Sequence, residues 1–294
     1  MPVPVLATFI DPSVERLISQ GRPCPGAMMD EEARMGFLQH LEEIRARVIV
    51  CLIAFIIIFV CVYMLSIRSF EWNGLTIYYL WPDFYDNIPS QLFDKFKADL
   101  LPDGVVLLNI GGIDPMVANI KIAMFVSVAF CTPIFAWQIG KFFMPALYPH
   151  EKRFMAGIIV PVTVLFIIGA LFAYMFFTPI ALDFFYTFGD TMGVEPTMGV
   201  SQFLSWIIMM TLAFGIIFEL PVFMAALTKL GIVAADSWKN GWRYAIIAFV
   251  IIGGFITPDV SGVTQILVAI PMTLLYIVGI YWAVRIERKA ALVV

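Results

Sequence analysis

Two glutamates and two arginines crowd into one short stretch of this chain, Phe37-Leu38-Gln39-His40-Leu41-Glu42-Glu43-Ile44-Arg45-Ala46-Arg47, and an uncharged run follows at once. Phe37, Leu41, Ile44 and Val48 fall at i, i+4, i+7 and i+11, the spacing of one helical face. Glu42, Glu43, Arg45 and Arg47 fill the positions between. A segment of this kind lies along a membrane surface and then turns into the bilayer, holding its charges where a soluble ligand can meet them.

Two further acids stand out. Glu151 belongs to Pro145-Ala146-Leu147-Tyr148-Pro149-His150-Glu151-Lys152-Arg153, where the prolines stiffen a loop and the acid opens a helix at its positive end. Capping alone accounts for a lone glutamate there; the alternative is a second carboxylate on the membrane face that carries Glu42 and Glu43. Glu219 lies 10 residues before Lys229, hence ~15 Å along a helix and near mid-membrane. An acid at that depth costs a few kcal/mol and faces a cavity or a polar partner. Thr211 and Gly215 precede it at i−8 and i−4, and Pro221 after it frees a carbonyl and bends the helix. Glu219 is then either a protonated structural acid bonded to a neighbouring helix or a functional contact.

The elements that must position these groups are apolar helices. The chain has 294 residues, 61% hydrophobic and 14% charged, with mean hydropathy +0.92. A soluble domain is about 45–50% apolar and about 25% charged, so the class is an all-α integral membrane protein. Uncharged runs of about 20 residues cross a ~30 Å core, and they predict six spans near 48–67, 117–140, 154–179, 203–229, 244–257 and 263–283. The fifth is short, because 14 residues rise only ~21 Å; either neighbours shield its ends or the bilayer thins there.

Orientation follows from the basic residues. Six spans put both termini on one side, where 14 Lys and Arg residues gather against three, Arg68, Lys95 and Lys97, opposite; Lys121 sits at a helix mouth. Both termini are therefore expected in the cytoplasm. Residues 1–34 read as a polar, proline-containing cytoplasmic extension without a packed-core pattern, 35–285 as the membrane domain and 286–294 as a cytoplasmic tail. Met28, Met29 or Met35 can serve as alternative starts, and no cleavable signal peptide is expected. Residues 69–114, rich in Asp and aromatics, are expected to form a periplasmic cap with short helices. Cys51, Cys61 and Cys131 sit inside apolar runs and read as packing residues. No Gly-rich phosphate loop or internal repeat is present in the sequence.

At this point the motifs resemble those of TatC, the multi-spanning subunit of the twin-arginine protein translocase. Phe37-Leu38-x-His40-Leu41-Glu42-Glu43-Ile44-Arg45-x-Arg47 looks like its opening signature. Pro145-Ala146-Leu147-Tyr148 with His150-Glu151-Lys152-Arg153 resembles its first cytoplasmic loop. Phe214-Gly215 with Phe218-Glu219-Leu220-Pro221 resembles its fourth helix, and Thr257-Pro258-Asp259 with Thr264-Gln265 and Ala269-Ile270-Pro271 the turn into its sixth. The likeness runs in order over about residues 35 to 285. It departs in the extension before Met35, in a longer first exported loop around Asp83 to Gly104, and at Pro115-Met116, where the family often has an aromatic after proline.

The resemblance implies a cup of six helices in the bacterial cytoplasmic (inner) membrane that receives folded cargo by its signal peptide. It implies that the twin arginines bind Glu43 and Glu151, with Phe37, His40, Leu41, Arg45, Arg47, Phe142, Pro145 and Tyr148 around them. It places Glu219 and Gln265, with Thr211 and Pro221 on the same helix as Glu219, at contacts with the single-span partners TatA and TatB. Further TatC copies and the lipid bilayer are the other implied partners. It implies transport driven by the proton-motive force, with no nucleotide, nucleic acid, metal or cofactor and no catalysis. The physics is consistent with that reading: a guanidinium presents a planar fork to a carboxylate, whereas an ammonium is a strongly hydrated point charge. The competing class is a proton-coupled small-molecule transporter working through Glu219. It calls for further titratable groups within the spans, and Glu219 is the only central one.

Overall fold

The computed structural model describes residues 25–72, 75–102, 104–143, 149–193, 197–257 and 262–291, with side chains described outside 25–40, 72, 75, 142–156 and 290–291. Two units are distinguished, Met1–Val50 and Cys51–Val294. The first unit contributes only the opening part of helix α1 (Pro25–Met64), which begins inside the stretch read as an extension.

The rest of α1 belongs to the second unit and ends at Met64, so that residues 65–67, expected at the end of the first span, are extended. Strands β1 (Leu65–Trp72) and β2 (Leu75–Pro82) form an antiparallel hairpin paired from Leu65↔Pro82 to Trp72↔Leu75. This corrects the expectation of short helices alone in the cap. Helix α2 (Ile88–Leu100) follows. Its N-cap is the fully buried Asn87, whose Oδ1 accepts from the Ser90 amide at 3.0 Å and whose Nδ2 donates to the Tyr63 carbonyl at 3.0 Å. One side chain thus starts α2 and ties it to the last turn of α1; a cap of this type is worth about 1 kcal/mol. Strand β3 (Val106–Leu108) pairs in parallel with β4 (Thr197–Gly199), joining two loops distant in sequence.

Helices α3 (Asp114–Phe143) and α4 (Pro149–Phe172) lead into a π turn at Ala173–Phe177 and α5 (Thr178–Thr191). Pro179 explains the turn: it has no N–H to continue the ladder, and the Thr178 amide instead reaches back five residues to the Ala173 carbonyl. The expected fourth span is two helices, α6 (Val200–Phe218) and α7 (Leu220–Lys229). Then come α8 (Ala235–Asn240), α9 (Trp242–Ile256) and α10 (Val263–Ala291).

Among the described residues, five stretches are long and apolar enough to cross a membrane: Leu41–Met64, Asp114–Lys141, Gly157–Thr191, Val200–Lys229 and Val263–Lys289. Helix α9 is apolar but shorter, 15 residues, or ~22 Å. Helix α6 is the central element of the second unit. Phe203, Leu204, Met210 and Phe214 on it are fully buried, and it packs against both α3 and α4.

The α4–α6 contact is reciprocal. A Cβ on Gly215 would lie 2.7 Å from the Phe166 ring, and a Cβ on Gly169 would lie 2.7 Å from Phe218 Cγ and 2.5 Å from the Phe214 carbonyl oxygen. Each helix therefore offers a glycine to the other's aromatic side chain, the small-residue close approach expected between helices in lipid.

Candidate functional site

On helix α1, Glu43 and Arg47 are one turn apart and form an ion pair, the Arg47 guanidinium donating to Glu43 Oε1. Both are half-buried, while Glu42 and Arg45 on the same turns are exposed. Leu41, Ile44 and Val48 keep 39–57% of their surface accessible, an apolar stripe open to lipid or to a ligand. Glu151 lies in the first turn of α4; its side chain, like those of Phe37, His40 and Phe142, is outside the described side chains. Pro145 and Tyr148 lie outside the described residues.

Glu219 sits at the break between α6 and α7. Pro221 has no N–H for the Ile217 carbonyl, so the chain tightens: the Glu219 amide donates to Ile216 O at 3.0 Å, and the Phe223 amide restarts the α ladder on Glu219 O at 2.9 Å. Both carboxylate oxygens are buried, and among the described residues neither has a hydrogen-bond partner. The Phe166 main chain approaches them outside hydrogen-bond geometry. The side chain lines a cavity of about 280 Å³ whose other walls are apolar, from Ala136, Ile139 and Gly140 of α3 through Ile158 and Val162 of α4 to Val222 and Phe223 of α7. An acid left unpaired in an apolar cleft is costly until a donor reaches it.

Thr211, expected to share the face of Glu219, donates back to the Ile207 carbonyl at 2.8 Å and is buried. It satisfies itself within its own helix. Gly215 receives Phe166 as described. Gln265 on α10 donates from Nε2 to the Val250 carbonyl at 2.5 Å and lies against two glycines, since a Cβ on Gly253 would come within 2.9 Å of its carbonyl oxygen and one on Gly254 within 2.9 Å of Nε2. The amide thus bridges α9 and α10. Glu219 and Gln265 are not in one cluster: the residues lining the Glu219 cavity do not include Gln265.

Lys121 is a polar feature that the sequence reading treated only as a charge at a helix mouth. Its Nζ donates to Ser201 Oγ and Ser205 Oγ, both at 2.7 Å, with the Ser201 carbonyl at 3.4 Å. The signal was in the sequence, since Ser201 and Ser205 are one turn apart on α6 and make a two-hydroxyl seat.

An acid in an apolar cleft at a helix break and, among the described residues, five stretches long and apolar enough to cross a membrane define a helical membrane protein. Comparison with known proteins narrows the class. The family model for the Sec-independent protein translocase protein TatC matches residues 39–271. The TatC of Cenarchaeum symbiosum is 36% identical over 257 residues, covering 87% of this chain and 97% of that protein. The TatC of Escherichia coli K12 is 29% identical over 255 residues, covering 87% and 90%. A crystal structure of the twin arginine translocase receptor TatC superposes with a TM-score of 0.68 at 31% identity, covering 84% of this chain and 99% of that one.

This chain belongs to the TatC family. It is a membrane component of twin-arginine protein transport and not an enzyme.

Proposed function

We propose that this chain is the receptor of a twin-arginine translocase, in which Glu43 and Glu151 at the cytoplasmic face accept the paired guanidinium groups of a signal peptide. The observation that carries the reading is the Glu43–Arg47 ion pair. A carboxylate has two oxygens and about four lone-pair sites, so the one that already accepts Arg47 can take a second guanidinium fork without giving up the first. Six spans with both termini in the cytoplasm, the short α9 being the fifth, put Glu43 and the first turn of α4 on the same side. The cytoplasmic membrane is the proposed location.

The Glu219 cavity and the Gln265 bridge serve single-span partners of the TatA and TatB kind. A polar side chain on such a helix would satisfy the orphaned carboxylate. Further copies of this chain complete the assembly, and the proton-motive force drives transport of the folded cargo.

A photocrosslinking scan from residues 37–47 and 145–153 to a twin-arginine signal peptide tests the receptor role. Crosslinks that survive in both Glu43→Gln and Glu151→Gln, with normal membrane insertion, reject it. Glu219→Ala is expected to leave those crosslinks intact while reducing copurification of the single-span partners. Unchanged copurification overturns the partner assignment alone.

A further inference from the structure

A second groove in the second unit adjoins the Glu219 cavity, sharing Ile158 and Val222 with it but not Glu219 itself. It is about 510 Å³ and is bounded by α4, α7 and the end of α10. Ile158 and Pro161 form one wall, Val222 and Ala225 the second. Helix α10 supplies Trp282, Arg285, Ile286 and Lys289, which at i, i+3, i+4 and i+7 occupy a single helical face. The groove therefore has an apolar body and, at one end, two cations a turn apart.

Among the described residues no carboxylate lines the groove. Among the described residues neither Arg285 nor Lys289 has an ion pair; the Arg285 guanidinium rests over the Tyr281 ring at 5.6 Å. Glu287 is two residues from Arg285 and so about 200° around the helix, on the far side. Basic residues at a helix C-terminus complement the helix dipole, which accounts for cations somewhere in the last turns. It does not account for two of them on the face that closes an apolar cleft.

We propose that this groove binds an anionic phospholipid, its acyl chains against Pro161, Val222 and Ala225 and its phosphate between Arg285 and Lys289. Charge complementarity selects the occupant, because the described lining offers two positive charges and no negative one. The apolar body selects lipid over an extended polypeptide, whose backbone would be left unsatisfied against these walls. Basic pockets between membrane helices are known headgroup seats. The site shares Ile158 and Val222 with the Glu219 cavity, but its two cations belong to neither proposed role and the inference does not rest on those roles.

Native mass spectrometry of the full chain, released from detergent with dioleoylphosphatidylglycerol or dioleoylphosphatidylcholine, tests this. The wild type is expected to retain phosphatidylglycerol preferentially, and Arg285→Gln with Lys289→Gln to lose roughly 25-fold in that preference, about fivefold for each headgroup cation. Arg288→Gln, next to the groove but not lining it, is expected to keep the preference. Ala225→Phe, which fills the body, is expected to reduce retention of both lipids. Equal retention of the two lipids by the wild type overturns the proposal. So does a preference that survives the double variant, or one lost equally in Arg288→Gln. Full displacement of the lipid by millimolar inorganic phosphate would also overturn it, by making the site one for free phosphate.

Discussion

Replacing Glu43 with Gln removes one charge and keeps the side chain's length and a carbonyl oxygen. Within the protein the loss is small: Glu43 and Arg47 are an i, i+4 pair on one helix, a type worth about 0.2–0.5 kcal/mol. That translates into about 1–2 °C of thermal stability for a chain of this size. Toward a twin-arginine peptide the loss is larger, because a hydrogen bond between two charged groups is worth about 1.5–3 kcal/mol, or about 10- to 150-fold in affinity. The assay is anisotropy of a labelled signal peptide, Arg-Arg or Lys-Lys, titrated with the reconstituted protein, alongside thermal unfolding. Glu43→Gln should weaken the Arg-Arg peptide strongly, bring it toward the Lys-Lys peptide, and barely move the melting temperature. Arg-Arg affinity within about twofold of wild type would refute the contact. A fall in affinity accompanied by a melting loss above about 5 °C would show that Glu43 acts through the fold instead.

Gly215→Ala should cost about 1–3 kcal/mol in thermal stability through overpacking against Phe166, whereas Gly189→Ala, with open space at its Cβ, should be neutral or stabilising by up to about 1 kcal/mol; equal effects would dismiss the glycine–phenylalanine interlock. Asp83 is held below the usual carboxylate range by the amides of Asp86 and Tyr85 and by Arg68. Its folded value lies under its unfolded one, so the ordering of the hairpin base is present above about pH 4 and is lost as pH falls through the depressed value. Hydrogen exchange at Tyr85 and Asp86 should rise there once corrected for intrinsic rates, and stay flat in Asp83→Asn. Lys121→Met should change stability by less than about 1.5 kcal/mol, since an apolar chain of similar length removes the charge with its need for partners. Ser201→Ala with Ser205→Ala, which strands the ammonium, should cost about 1–3 kcal/mol; the reverse order would mean that the hydroxyls are incidental.

The membrane class was legible because apolar runs and charge placement are averages over many residues. The break at Glu219 was legible for a local reason, a proline two residues beyond an acid in an apolar run. What the acid lacks was not, since an empty coordination sphere depends on which helices pack around it. The hydrogen bond that Thr211 makes within its own helix was not read in advance, although a hydroxyl on a helix has its own carbonyls within reach. The hairpin was missed although Asn73-Gly74 separates two runs rich in aromatic and β-branched residues, the strongest short-range hairpin signal. The Asp content of the wider loop hid it. Asn87 followed by Pro89 likewise marks a helix start. The groove closed by Arg285 and Lys289 joins three helices distant in sequence, and no local pattern announces it.

The matched glycines and phenylalanines of α4 and α6 act as teeth that mesh in a single register. Sliding one helix past the other by a turn, ~5.4 Å, would drive each ring into a position without a gap to receive it. The depth at which Glu219 rests in the bilayer is thus dictated by Gly169 and Gly215, and only a coordinated change in both helices could raise or lower that acid.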